Sequence, residues 1–179
     1  MILTSTLSWE DQMKRIMIMG SAGSGKSTLA KKLAQQLGIE AIHLDREFWK
    51  PGWIMTEKPE QIVLHNEFMK REAWIIDGNY NASLESRAKL ADLIIFLDMP
   101  FYKCFYRIIS RSFRYRGKTR EDMASGCEEK LDKEFLLYVM NYHRKKKYED
   151  LEKLSKFAES SKIVTLKNTD EIDRFLLRL

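Results

Sequence analysis

Short runs of consecutive apolar residues alternate along the chain with longer stretches in which apolar positions recur every three or four residues. That alternation predicts a parallel sheet crossed by helices. Five runs read as strands: Arg15 to Met19 (RIMIM), Ala41 to Asp45 (AIHLD), Trp74 to Asp77 (WIID), Leu93 to Asp98 (LIIFLD) and Ile163 to Lys167 (IVTLK). All but the last are nearly continuous in apolar character, as strands covered on both faces must be. Helices are predicted at Lys26 to Leu37, Pro59 to Arg71, Ser83 to Leu90, Phe101 to Arg114, Glu128 to about Glu159, and Asp170 to Leu177, with Pro59 suited to a first helical turn. Between the fourth and fifth of these lies RYRGKTREDMASG, which reads as a loop able to act as a mobile flap. The fold class expected is α/β, a three-layer sandwich on a five-stranded parallel sheet with a small helical lid at about residues 107–128.

The first strand runs into GSAGSGKST, which meets the pattern G-x-x-x-x-G-K-[ST] at every position and opens the first helix. The residue types follow from the task of binding phosphate. Backbone N–H groups must wrap phosphate oxygens closely, glycines let the chain turn without an obstructing Cβ, and the helix dipole adds positive potential. Gly20, Ser21, Ala22, Gly23, Ser24, Gly25, Lys26, Ser27 and Thr28 are therefore the candidate nucleotide-binding residues. Lys26 is placed to reach the β- and γ-phosphates of ATP, and Ser27 to ligate Mg²⁺.

Ligands of open α/β sheets bind beyond the carboxyl ends of the strands, which draws attention to three acids. Asp77, followed by Gly78, is a candidate to hold a Mg²⁺ water beside the loop, or else is a strand-end turn acid. Asp45 is a candidate to orient or deprotonate an acceptor hydroxyl. Asp98 precedes Met99-Pro100 and is read as a cap of the next helix. Trp49 and Trp53 either stack on an acceptor or pack in a flap. His43, His65 and His143 read as structural.

Composition narrows the class. With 44% hydrophobic and 32% charged residues the chain is an ordinary globule rather than a disordered one. No apolar run approaches the roughly 20 residues that span a bilayer, and the first twelve residues lack a signal-peptide pattern, so a cytoplasmic location with no membrane partner is expected. Cys104 and Cys127 stand at no metal-ligand spacing. The net charge of +5 suits a polyanionic ligand, and seven basic residues between Tyr102 and Arg120, with no acid among them, mark the candidate anion site. Nucleic acid is a conceivable partner of that run, although no helix-turn-helix, zinc or RRM signature accompanies it.

These residues resemble the adenylate-kinase-like P-loop kinases, a group that includes shikimate and gluconate kinases. GSAGSGKST looks like their phosphate loop and WIIDG like the strand whose Asp-Gly lies near Mg²⁺. FLDMP followed by Arg107 and Arg111 looks like their lid entrance, where the resemblance implies that both arginines grip ATP and serve catalysis. A closer resemblance is to the bacterial family labelled DNA topology modulation protein, through HLD with FWKPGW, DGNY, RYRGKTR and the GC-E-KLD-EF stretch. The family pattern begins at Met13-Lys14-Arg15, so residues 1–12 read as an N-terminal extension and 13–179 as one kinase domain. The Phe-Pro-Arg that contacts AMP in adenylate kinases is replaced here by Asn79-Tyr80; Arg87 is either a substitute or a solvated helix-face arginine. The resemblance implies a kinase that passes the γ-phosphate of ATP to a nucleotide or other small hydroxyl or phosphate acceptor; the alternative is a nucleotide-dependent regulator that binds DNA.

Overall fold

A computed structural model of the protein describes residues 13–159 and 162–179; the extension read at residues 1–12 lies outside the described residues. The strands are β1 (Arg15–Gly20), β2 (Ala41–His43), β3 (Trp49–Lys50), β4 (Ile54–Met55), β5 (Trp74–Asp77), β6 (Leu93–Leu97) and β7 (Ile163–Leu166). The helices are α1 (Lys26–Leu37), α2 (Leu44–Phe48), α3 (Lys58–Met69), α4 (Leu84–Leu90), α5 (Phe101–Arg114), α6 (Lys133–Asn141), α7 (Lys147–Phe157) and α8 (Thr169–Leu176). A five-stranded sheet in the order β2-β5-β1-β6-β7 has all its pairs parallel.

Two apolar cores explain why the central strands look continuous in sequence. Successive side chains of a strand point to opposite faces. Met17, Met19, Ile76, Ile94 and Phe96 accordingly pack on one side, while Ile16, Ile18, Ile75, Ile95 and Leu97 pack on the other. The second side is covered by α1 through Leu29 and Leu33 and by α8 through Ile172; the first receives α4 through Ala88 and α7 through Leu154. Crossing to a neighbouring strand on either side of β1 opens a crevice at the strands' carboxyl ends, and the phosphate loop lies there.

Three boundaries differ from the sequence reading. The second strand stops at His43, and Leu44 opens α2 with Asp45 and Glu47 in its first turn, a placement the helix dipole favours; Asp45 is thus on a helix and not at a strand end. The long helix expected from Glu128 starts only at Lys133, where the Asp132 carboxylate accepts from the Phe135 N–H at 2.8 Å as an N-cap. Its middle turn, Tyr142–Lys146, widens to a π-helix before α7. Upstream of the cap, Glu128 and Glu129 bridge to Thr119 and Arg116 in the flap instead of joining the helix. The third is the β3–β4 hairpin, whose two-residue strands are too short to show a period of two. Among the described residues no helix is long and apolar enough to cross a membrane.

Candidate functional site

The phosphate loop is held in a shape only glycine permits. Gly20, Gly23 and Gly25 have φ of 144°, 74° and 103°, and a Cβ at Gly23 would come within 2.5 Å of the Cys104 carbonyl oxygen. Asn79 pins the loop's start to the end of β5: its amide donates to Gly20 O at 2.7 Å and its Oδ1 accepts from Gly20 N at 3.2 Å. Lys26 Nζ folds back to donate to Gly20 O and Ser21 O, each at 3.0 Å. Burial lowers the Lys26 pKa, while Asp45 and Asp77 act in the opposite direction and support its charge. Ser21 and Ser24 are buried in the loop and Thr28 is exposed one turn into α1.

Above the loop opens a cleft of about 1050 Å³ that brings together Ala22, Gly23, Gly25, Lys26, Ser27, Thr28, Asp45, Asp77, Arg107 and Arg111. Arg107 Nη1 donates to Ser24 O at 3.0 Å, and a smaller pocket of about 290 Å³ continues beyond it between Thr28, Thr169, Ile172 and Asp173. Asp77 is 4% exposed and its Oδ1 lies 2.8 Å from Nδ1 of His43, so His43, buried at the end of β2 as a structural residue would be, also has a carboxylate partner. Burial opposes the charged imidazole, but the Asp77 hydrogen bond and charge, with Asp122 adding, raise the His43 pKa above its ordinary value. The Ser27 hydroxyl and the Asp77 carboxylate on one wall are hard oxygen donors of the sort Mg²⁺ takes when phosphates and waters complete its shell, so the residues present fit the ion.

Asp45 faces the cleft from α2. The Tyr80 hydroxyl donates to its Oδ1 at 2.8 Å. The protein crowded around it lifts the Asp45 pKa above the usual carboxylate range, against the pull of Lys26 and of the Tyr80 hydrogen bond. Tyr80 itself is fixed edge-on to Phe48, ring centroids 4.8 Å apart.

The flap closes the cleft through ion pairs. Glu129, its side chain 3% exposed, accepts from Arg111 Nε and pairs with Arg120 Nε, both at 2.8 Å. Arg120 also pairs with Asp122 at 2.8 Å, and Lys31 of α1 reaches Glu121 at 2.7 Å. Burial alone would raise the Asp122 carboxyl, but Arg120 and the Ser27 hydroxyl outweigh it and hold it below the usual range. The β3–β4 hairpin docks on the same flap: Gly52 N donates to Gly126 O at 3.0 Å, Trp53 Nε1 to Glu128 O at 2.9 Å, and Trp49 and Trp53 pack on Met123, Ala124 and Cys127. Trp53 holds φ at 63°, a conformation rare for a bulky residue, sustained here by those contacts.

Two sequence expectations fail. Asp98 caps no helix; it accepts from Lys147 Nζ at 3.0 Å, and the backbone of Pro100 precedes α5 without a side-chain cap. Arg87 is neither solvated nor in the cleft. It is 0% exposed and donates to Ser83 O, Gly78 O and Tyr80 O, which fixes the turn after β5 that carries Asn79 and Tyr80. Burial lowers its pKa to about 10, with Asp77 and Asp150 opposing that fall. Arg87→Met strands three carbonyls in a buried turn, so a loss of about 3 kcal/mol, or roughly 10 °C in melting temperature, is expected by calorimetry. An unchanged melting point contradicts this role.

Asn79, Tyr80, His43, Arg120 and Glu129 are the site residues the sequence reading missed. DGNY marked the first two only as a departure from a known pattern; His43 meets Asp77 across 34 residues and Glu129 meets Arg111 across 18, while Arg120 is placed by Glu129 and Asp122 within a stretch that reads as loop.

No family model matches the chain. A putative adenylate kinase from Pyrococcus abyssi is 28% identical over 136 residues, spanning 72% of this chain and 69% of the relative. A shikimate kinase from Persephonella marina is 30% identical over 110 residues, 53% of this chain and 67% of the relative. Among solved structures, the shikimate kinase from Acinetobacter baumannii in complex with shikimate superimposes with a TM-score of 0.60 at 17% identity, covering 93% of this chain and 90% of that one.

Proposed function

The chain belongs to the P-loop kinases of the adenylate and shikimate kinase type, which are phosphotransferases, and from that premise we propose that it moves the γ-phosphate of ATP onto the hydroxyl of a small molecule delivered to Asp45. The observation that carries this reading is the facing of Lys26 and Asp45 across one cleft, with Asp45 the foremost charge acting on the lysine. A donor cation and an acceptor carboxylate so placed are what in-line transfer needs on either side of the moving phosphorus.

In this reading the loop amides and Lys26 take the phosphates, Arg107 and Arg111 close on them from α5, and the small pocket beyond Arg107 takes the nucleotide base. Ser27 and Asp77 would hold Mg²⁺, which when bound offsets the charge of the phosphate oxygens. His43 orients Asp77, and Tyr80 orients Asp45 so that its free oxygen meets the acceptor hydroxyl. Nothing in the site favours the nucleic-acid reading: Arg111 and Arg120 of the basic run are paired with Glu129 inside the flap, and Arg107 is turned to Ser24 O.

Asp45→Asn and Asp77→Asn test the roles. Both should lower ADP formation by about a hundredfold or more. Excess Mg²⁺ or Mn²⁺ should restore part of the rate of Asp77→Asn and none of Asp45→Asn. Identical responses to metal would refute the division of labour.

A further inference from the structure

The acceptor end of the cleft has a definite chemical character. Its sides are aromatic: Trp49 and Trp53 from the hairpin, Tyr80 from the turn after β5, and Phe135 and Tyr138 from α6. Phe135 and Tyr138 lie nearly parallel, at 19°, with centroids 6.4 Å apart, and Tyr138 is 45% exposed, so its ring is available to a ligand. Asp45 and Glu134 line the cleft with no ion-pair partner among the described residues, and Asp132 lines it paired with Lys130.

Most cations near this end are engaged; Arg114, at the end of α5, lines the cleft exposed and without an ion pair among the described residues. Lys130 lies 3.2 Å from Asp132 and above the Trp53 ring at 5.9 Å. Arg111 and Arg120 share Glu129, and Arg120 also holds Asp122. Arg87, the arginine nearest in sequence to the turn, spends its guanidinium on three backbone carbonyls and is enclosed. A phosphate or carboxylate on the acceptor would therefore have to break an existing ion pair, sit against Asp45, or reach out to Arg114 at the solvent-exposed end of α5. Like charges brought together in a partly desolvated cleft repel strongly, whereas a neutral ring gains contact with the aromatic walls.

Resting on the kinase reading above, we infer that the acceptor is an uncharged alcohol carrying a flat ring, held between the hairpin and α6 with its hydroxyl at Asp45. The hydroxyl oxygen attacks the γ-phosphorus and a new O–P bond forms. The bond from that phosphorus to the β,γ-bridging oxygen breaks, ADP leaves with the electron pair, and the hydroxyl proton passes to the Asp45 carboxylate. Acceptors already bearing phosphate or carboxylate are disfavoured by charge beside Asp45, which distinguishes this site from one that extends a nucleoside monophosphate or phosphorylates a sugar acid.

The test is ADP formation on matched pairs, each purine and pyrimidine nucleoside beside its 5′-monophosphate, with gluconate and shikimate as carboxylate acceptors, together with equilibrium binding of ATP. At least one nucleoside should be phosphorylated with kcat/KM about a hundredfold above its monophosphate, the sugar acids giving no product. Tyr138→Leu should raise KM for that nucleoside about tenfold and leave KM for ATP unchanged. Preference for a monophosphate or a sugar acid overturns the inference. ATP binding that is lost in Lys26→Ala, with no nucleoside phosphorylated, overturns the acceptor class while leaving the kinase reading intact. Absence of ATP binding by the wild-type chain overturns both.

Discussion

Lys26→Ala is expected to lose at least about a thousandfold in ATP-dependent phosphoryl transfer and to keep its melting temperature within a few degrees. The ammonium donates to the carbonyls of Gly20 and Ser21. These are weak partners beside a triphosphate, so the group is free to leave them. Lys26 is partly buried in the cleft, which lowers its pKa, and a charge partly withdrawn from water acts on phosphate oxygens more strongly than one in bulk solvent. Removing it takes away stabilisation that grows as charge gathers on the phosphates, so kcat should fall along with nucleotide affinity. Little stability goes with it, because Lys26 belongs to neither apolar core and its hydrogen bonds are to loop carbonyls. Steady-state ADP formation, equilibrium ATP binding and a thermal melt on the same preparation decide the matter. A folded variant with unchanged turnover would remove the basis of the proposed function.

Much of this arrangement is legible in the sequence because it is local. The loop glycines are needed by backbone angles set within a few residues, and α1 and α5 begin and end where periodicity and the loop pattern place them. The sheet is legible because a strand covered on both faces leaves an unbroken apolar run, and β1, β5 and β6 each lie between two neighbours. What is hidden is long-range. Arg87 looks like any helix-face arginine until the turn after β5 folds back over it. Glu129 carries a helix-forming residue type in a plausible helical stretch, yet two guanidiniums from other parts of the flap draw it out of α6. Asp45 and Tyr80 are 35 residues apart and meet only because α2 replaces the end of a strand. The hairpin is the hardest case, since its conformation, Trp53 included, is set by the flap on which it rests.

Arg111→Ala should lower kcat by about a thousandfold while weakening ATP binding less than about tenfold, and Arg107→Ala should affect both. Arg107, Arg111 and Arg114 fall at i, i+4 and i+7 of α5, and all three line the cleft. Their surroundings differ. Arg107 already touches the phosphate loop through Ser24 O, so it contributes to the ground-state complex. Arg111 is held by Glu129 and must share its charge with that carboxylate until the transferring phosphate offers more; its contribution is therefore concentrated in the transition state. The same carboxylate balances Arg120, so Glu129→Gln leaves Arg111 without its anion and Arg120 with Asp122 alone. In that variant the flap should loosen, and protease should cut between Arg114 and Arg120 several times faster than in the wild type. ATP should slow the cutting again, because its phosphates replace the lost negative charge. The hairpin should loosen with it, since Gly52 and Trp53 hang on Gly126 and Glu128; quenching of tryptophan fluorescence by iodide reports that motion. Cutting that is equally fast with and without ATP, together with near-normal kcat in both alanine variants, would mean that the basic run is a static brace and not a catalytic lid.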